Sequence, residues 1–312
     1  MSVDNIRFSV IIPLYNKEKY IEQTLCSVLG QSYPFFEVVV VDDGSSDKSV
    51  SIVKSIKDSR IRIISQKNGG VAAARNTGIE VSVENYVAFI DADDYWAVTY
   101  LEEMVNLISS YPDGGMYACR YAEVVEGKQK SVAIALNESF KSGYISYFKL
   151  FARTYVSPIC SSAVVIPRKS FIKVGIFRVG LKVGEDIDLW LRLAQNGDVI
   201  YLNQELAFYN NDQPIDNRLS QKLYSPQESY IFSLDKLYRE SSKDGQLLID
   251  GLILRTLRPY YALGLYVREV DRVLKGVNFE NQPLGYRLYY YLPRWMAKRV
   301  YLVLRKMRSL LR

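Results

Sequence analysis

Over the first hundred residues, short and nearly continuous apolar runs alternate with stretches whose apolar positions recur at helical spacing. Phe8-Ser9-Val10-Ile11-Ile12 reads as a buried strand stopped by Pro13, and Phe36–Val41, Ile61–Ile64 and Tyr86–Ile90 read as three more. Between them, Ile21, Leu25, Val28 and Leu29 place a helix from Lys17 to Leu29, and Val50, Ile52, Val53 and Ile56 place a second. The Asp42–Asp47 turn offers Ser and Asp as N-caps for that second helix. Gly69-Gly70 opens a third helix through Val71–Asn76. Strands without polar interruption are buried on both faces, so the pattern predicts a parallel sheet covered by helices. Ligands in such sheets bind outside the carboxyl ends of the strands.

The remaining pattern is more mixed. Val164–Pro167 reads as a strand and Leu189–Ala194 as a helix, with Gly184-Glu185-Asp186-Ile187-Asp188 between them. From about Gln221 to Lys275 the chain is helical in pattern and rich in Tyr and Leu, and Pro283 and Gly285 interrupt it. These shifts predict a body over 1–220, a helical region over 221–282 and a basic amphipathic helix over 283–312.

Composition narrows the chemistry. At 312 residues, with 48% hydrophobic and 24% charged residues, the chain is long and apolar enough for one large domain plus an appendage, which excludes wholesale disorder. The net charge is +6, yet residues 287–312 alone hold eight Lys and Arg and no acid. The rest is slightly acidic, which argues against a nucleic-acid-binding surface. Histidine is absent, which removes Ser-His and Cys-His nucleophiles and His general bases. The three cysteines, Cys26, Cys119 and Cys160, form no CxxC pair, and a reducing compartment is the natural reading. The N-terminus lacks the build of a signal peptide and no apolar run approaches about 18 residues, so a cytosolic catalytic body is expected.

Two predicted strands end in acids: Asp42-Asp43, and Asp91-Ala92-Asp93-Asp94. Carboxylates crowded behind a buried strand repel one another and call for a cation. A hard divalent ion binds one or two carboxylates plus substrate phosphates, which points to a phosphorylated substrate.

Five ordered pieces carry a resemblance. They are Phe8–Asn16, Val40–Asp47, Ala73-Ala74-Arg75-Asn76-Thr77-Gly78, Asp91-Ala92-Asp93-Asp94 and Gly184-Glu185-Asp186. Together they resemble the family 2 inverting glycosyltransferases of GT-A fold. That resemblance implies a mixed, mostly parallel central sheet flanked by helices, with a C-terminal helical extension. It also implies transfer of a sugar from a nucleotide-diphospho-sugar donor, expected to be a UDP-sugar, to a saccharide or lipid-linked saccharide acceptor. The setting commonly served by the family is assembly of bacterial cell-surface polysaccharide. Pro13, Tyr15, Asp42, Arg75 and Asp91 match nucleotide-binding positions, and Asp93 matches the ligand of Mg2+ or Mn2+. Asp186 matches the catalytic base, with Glu185 orienting the acceptor.

Each assignment has a plainer reading: Asp42 and Asp43 as turn caps, Arg75 as an exposed helical arginine, and Glu185 and Asp186 as acids favoured at a helix start. One departure is evident. Many relatives carry a histidine where this chain reads Phe208-Tyr209-Asn210-Asn211-Asp212. Asn210, Asn211 or Asp212 would have to supply that ligand, or Asp93, diphosphate and water would suffice. Two other function classes stay open, a nucleotidyltransferase and a non-catalytic nucleotide-sugar-binding protein. The first usually needs a glycine-rich phosphate loop with a lysine, and none stands near the first strand.

The C-terminal segment has separate logic. On a helical projection Met296, Val300, Val303, Leu304, Met307, Leu310 and Leu311 share one face, with Arg294, Lys298, Arg305, Arg308 and Arg312 around it. This fits a helix lying on an anionic membrane surface, at the cytoplasmic face of the inner membrane. The alternative is a helix packed on the enzyme body or on a homodimer partner.

Overall fold

The computed structural model describes residues 5–212 and 222–310. The chain divides into two compact units, Met1–Gly180 with Glu185–Arg218, and Leu181–Gly184 with Leu219–Arg312. The sequence-predicted boundary at 220/221 lies outside the described residues.

The first unit is built on one ten-stranded mixed sheet. Its strands and helices follow in the order β1 (Phe8–Leu14), α1 (Ile21–Leu29), β2 (Phe36–Asp42), α2 (Ser49–Ser55), β3 (Ile61–Ser65), α3 (Val71–Val81) and β4 (Tyr86–Phe89). Then come β5 (Tyr95–Trp96), α4 (Tyr100–Ser110), β6 (Met116–Val125), β7 (Lys128–Ser131), β8 (Ser142–Ile145) and α5 (Tyr147–Thr154). The unit closes with β9 (Val164–Pro167), α6 (Arg168–Val174), α7 (Glu185–Asn196) and β10 (Val199–Asn210). The sheet runs β3-β2-β1-β4-β9-β6-β10-β5, with β7 beside β6 and β8 beside β10. Strands β3, β2, β1 and β4 are mutually parallel, so their carboxyl ends share one edge. Every residue of β1 and β4 is buried, as their unbroken apolar character requires.

Two local expectations need correction. β1 does not stop at Pro13 but continues to Leu14, paired with Asp42. The carbonyl of Ile11 accepts from Ile90 on the β4 side, whereas that of Leu14 accepts from Asp43 on the β2 side. Alternation therefore turns the nitrogen of Pro13 toward β4, which has already ended, and no ladder bond is lost. The first helix begins at Ile21, because Lys17–Tyr20 forms a turn closed by Tyr20 and Ile21 amides on the Lys17 carbonyl.

Helix α3 lies directly on β1. A side chain at Gly78 would sit 2.4 Å from the Ile11 side chain, so only glycine lets the helix approach this closely. Asn76 and Thr77 of the same motif are also structural. Asn76 exchanges two hydrogen bonds with the backbone of Phe177, at 2.8 and 3.0 Å, and Thr77 donates to Gln66 at 2.6 Å.

The second unit is helical: α8 (Asp235–Glu240), α9 (Lys243–Leu263), α10 (Val267–Lys275), α11 (Leu284–Tyr291) and α12 (Arg294–Leu310). Ser242 caps α9 at its start and Gly264 ends it in the left-handed conformation. Ala297 is buried against Ala262 of α9 and Tyr289 of α11, with Tyr301 packed beside it. α12 is thus docked through the stripe Ala297–Tyr301, which the sequence projection left without a role. Of the projected apolar face, Met296, Val300, Val303 and Met307 are exposed, together with Trp295 and Leu302. Leu311 and Arg312 lie outside the described residues. No helix among the described residues is long and apolar enough to cross a membrane.

Candidate active site

The shared edge of β1, β2 and β4 gathers the loops Tyr15–Tyr20, Asp43–Lys48 and Ile90–Asp94. Side chains stitch the first two together. Asn16, at a positive φ of 50°, accepts from the Ser46 amide at 2.8 Å, and the Lys17 amide donates to Ser49 at 2.8 Å. Glu18 accepts the Lys48 amide at 2.9 Å, and Asp47 accepts the Glu18 amide at 3.0 Å. Pro13 is buried at the base of this pair of loops and Tyr15 stands exposed at its rim.

Asp42 and Asp43 are both buried but differ in use. Asp42 accepts the Ser45 amide at 2.9 Å and closes its own turn. Asp43 takes Gly69, Gly70 and Gln66 N–H groups at 2.9, 2.8 and 2.7 Å. The glycine amides ahead of α3 are therefore engaged by a carboxylate of the chain itself.

Arg75 is not the exposed helical arginine of the plain reading; it is 2% exposed. One guanidinium nitrogen donates to Asp91 at 2.7 Å and another to Glu185 at 3.0 Å, while the group lies over the Phe177 ring at 5.3 Å. Burial disfavours its charge, but Asp91 and Glu185 more than offset this and hold its pKa above the ordinary value. Arg75 thus joins the acids at the end of β4 to the acids at the start of α7.

The Asp91–Asp94 run splits by neighbour. Asp94, 1% exposed, accepts from the Ser162 hydroxyl and from the Asn210 amide at 2.8 Å. Burial, then Asp91 and Asp93, raise its pKa well above the carboxylate range. Asp93 instead pairs with the Lys17 ammonium. Burial raises its pKa, against the pull of Lys17. Tyr209 flanks the cluster, its phenol pushed up by burial and by Asp94, Asp91 and Asp93.

Gly184 precedes α7 at a φ of 74°, where a side chain would also meet the Tyr230 ring at 2.1 Å. Glu185 is pushed up to about 7 by burial and by Asp186, with Arg75 opposing. Asp186 is raised by burial, again against Arg75, and its carboxylate accepts the Ile187 amide at 2.7 Å. Asp188 is fully buried between Arg192 at 2.8 Å and Arg178 at 3.2 Å. Asp188 is thus committed to packing.

The segment Phe208–Asp212 is also engaged. Asn210 contributes its amide to Asp94, and Asp212 accepts the Glu126 amide of the β6–β7 turn and donates its own amide to Asn210 at 3.1 Å. No group of three His, Cys, Asp or Glu side chains among the described residues is placed to hold a metal ion. The donor set still fits a hard divalent ion. Such an ion needs one or two carboxylates and takes its other ligands from phosphate and water, and Asp93 with Asp91 can supply the carboxylates. Sequence reasoning missed Lys17, Ser162 and Phe177. Their partners lie 76, 68 and about a hundred positions away, so local pattern carries no signal for them.

This architecture is the GT-A fold. It matches S. aureus TarS, residues 1–349, solved in complex with UDP-GlcNAc, with a TM-score of 0.71 at 19% identity, over 90% of this chain and 83% of that one. The glycosyl transferase family 2 model matches residues 9–175, and the chain belongs to that family. Among curated relatives, glycosyltransferase GlyA of Streptococcus pneumoniae is 33% identical over 218 residues, 67% of this chain and 31% of that protein. An uncharacterised glycosyltransferase of Haemophilus influenzae is 43% identical over 103 residues, 32% of this chain and 41% of that one. The chain spans about a third of the length of the first of these.

Proposed function

We propose that the chain transfers a glycosyl group from a UDP-sugar to an acceptor hydroxyl with inversion at the anomeric carbon. The observation that carries this reading is the Arg75 fork, which ties the strand-end acids and the α7 acids into one buried network. In this reading, Pro13, Tyr15, Asp42 and Asp91 line the nucleotide half, and Arg75 acts there through its hold on Asp91. UDP is the first nucleotide to test because the TarS structures that share the fold hold UDP and UDP-GlcNAc. A Mg2+ or Mn2+ ion at Asp93 would supply Lewis-acid stabilisation of the departing diphosphate. Asp186 takes the proton of the acceptor hydroxyl as it attacks, since burial raises its basicity while nearby Arg75 keeps it ionisable. Glu185, held by Arg75, orients the acceptor.

Asp186→Asn should lower sugar transfer, or slow donor hydrolysis, by about 10²- to 10⁴-fold while leaving UDP affinity intact. Full turnover in that variant would remove Asp186 as the base. An acceptor carried on a lipid suits the second unit, where Leu284, Leu288, Tyr291, Trp295, Leu302 and Val303 stand exposed among basic residues. We propose that this face rests on an anionic membrane surface. Cosedimentation with anionic vesicles should fall several-fold for the pair Trp295→Glu and Val303→Glu; undiminished binding would refute the contact.

A further inference from the structure

We propose that Lys17 is the resident counter-cation of Asp93 and gives up that place when donor and divalent ion arrive together. The inference rests on the metal reading above and concerns how this chain manages without histidine. Two cations and two neutral hydrogen-bond donors hold the Asp91–Asp94 cluster, and they differ in how readily they can be released. Arg75 is held by two carboxylates and stacked on Phe177, so it is fixed. Asp94 is enclosed by Ser162 and Asn210. Lys17 and Asp93 keep 25% and 17% of their side chains exposed, which leaves solvent and small ligands access to the pair.

The backbone beneath Lys17 is anchored by its amide on Ser49, so exchange requires only the flexible four-carbon stem to swing. An ion on Asp93 would bring like charge against the ammonium, so the two compete for the carboxylate. A diphosphate reverses that penalty. It completes the ion's ligands, which the described residues alone do not, and it offers oxygens to the displaced ammonium. Lys17 therefore couples ion and diphosphate binding: it opposes the ion alone and favours the pair.

Mn2+ binding to the full chain, followed by the electron paramagnetic resonance of free Mn2+ with and without UDP, separates these cases. Lys17→Met should bind Mn2+ about five- to tenfold more tightly than the parent without nucleotide, a modest site–site coupling. Saturating UDP should tighten Mn2+ less in Lys17→Met than in the parent, because the reciprocal coupling through the ammonium is gone. Lys17→Gln serves as a second variant should Lys17→Met fail to fold by circular dichroism. If neither variant gains Mn2+ affinity while Asp93→Asn loses it, Lys17 is not the competitor and the proposal falls, with the metal reading intact. If Asp93→Asn binds Mn2+ as the parent does, the metal reading itself fails and takes the proposal with it.

Discussion

The acids at the end of β4 and those at the start of α7 divide in the same way. Each run has one member sealed in the interior, Asp94 at 1% and Asp188 at 0% exposure, and one member on the shared guanidinium of Arg75. They differ in what holds the sealed acid. Asp94 is satisfied by a hydroxyl and a backbone amide, whereas Asp188 sits between two arginines. They differ also in the partner of the member to which chemistry is proposed: Asp93 pairs with Lys17, and Asp186 accepts a backbone amide. Adjacency in a motif therefore does not assign a role; the partner does. In the proposed reading, carboxylates closed off by fixed partners build the site, and the chemistry falls to Asp93 and Asp186, whose partners are exchangeable or minimal.

That division can be broken at several points. Asp188→Asn should cost the most stability, about 3–5 kcal/mol, since it leaves the charge of the largely buried Arg192 without its carboxylate. Asp94→Ala should cost about 1–3 kcal/mol by leaving the Ser162 and Asn210 donors unpaired. Chemical denaturation measures both, and Asp93→Asn should lie close to the parent in the same assay. A loss for Asp93→Asn matching that for Asp188→Asn would erase the distinction.

A smaller effect concerns pH. Glu185 is pushed up to about 7, so the acid pair sheds a proton as pH rises through neutrality, and kcat/KM should climb across that range. For stability the sign is opposite. A carboxyl whose folded pKa exceeds its unfolded value favours the fold at low pH, and that contribution is lost as pH rises from about 4.5 toward 7. Arg75 opposes the upward shift, so Arg75→Lys, which cannot fork to both partners, should move the midpoint of the kcat/KM profile upward. An unmoved midpoint would uncouple Arg75 from the acid pair.

Much of the first unit was legible because its signals are local. Unbroken apolar runs mark β1, β2 and β4, and the acids that follow them stand where parallel strands end. The passage of β1 through Pro13 was not legible, because it depends on where β4 stops. The same holds for the burial of Arg75, set by Asp91, Glu185 and Phe177 from three separate segments. In α12 the projection found the apolar residues but not the docked stripe, because Ala297 and Tyr301 are marked out only by their partners on α9 and α11. Long-range pairing, not composition, separates the acids that brace from the acids proposed to act.

The most direct test of that claim is calorimetric titration of UDP into the full chain with and without Mn2+, for the parent, Asp93→Asn and Asp94→Ala. The account predicts Mn2+-enhanced UDP binding in the parent, loss of the enhancement in Asp93→Asn and its retention in folded Asp94→Ala. Mn2+-independent binding in the parent, or enhancement that survives in Asp93→Asn and vanishes in Asp94→Ala, would contradict it.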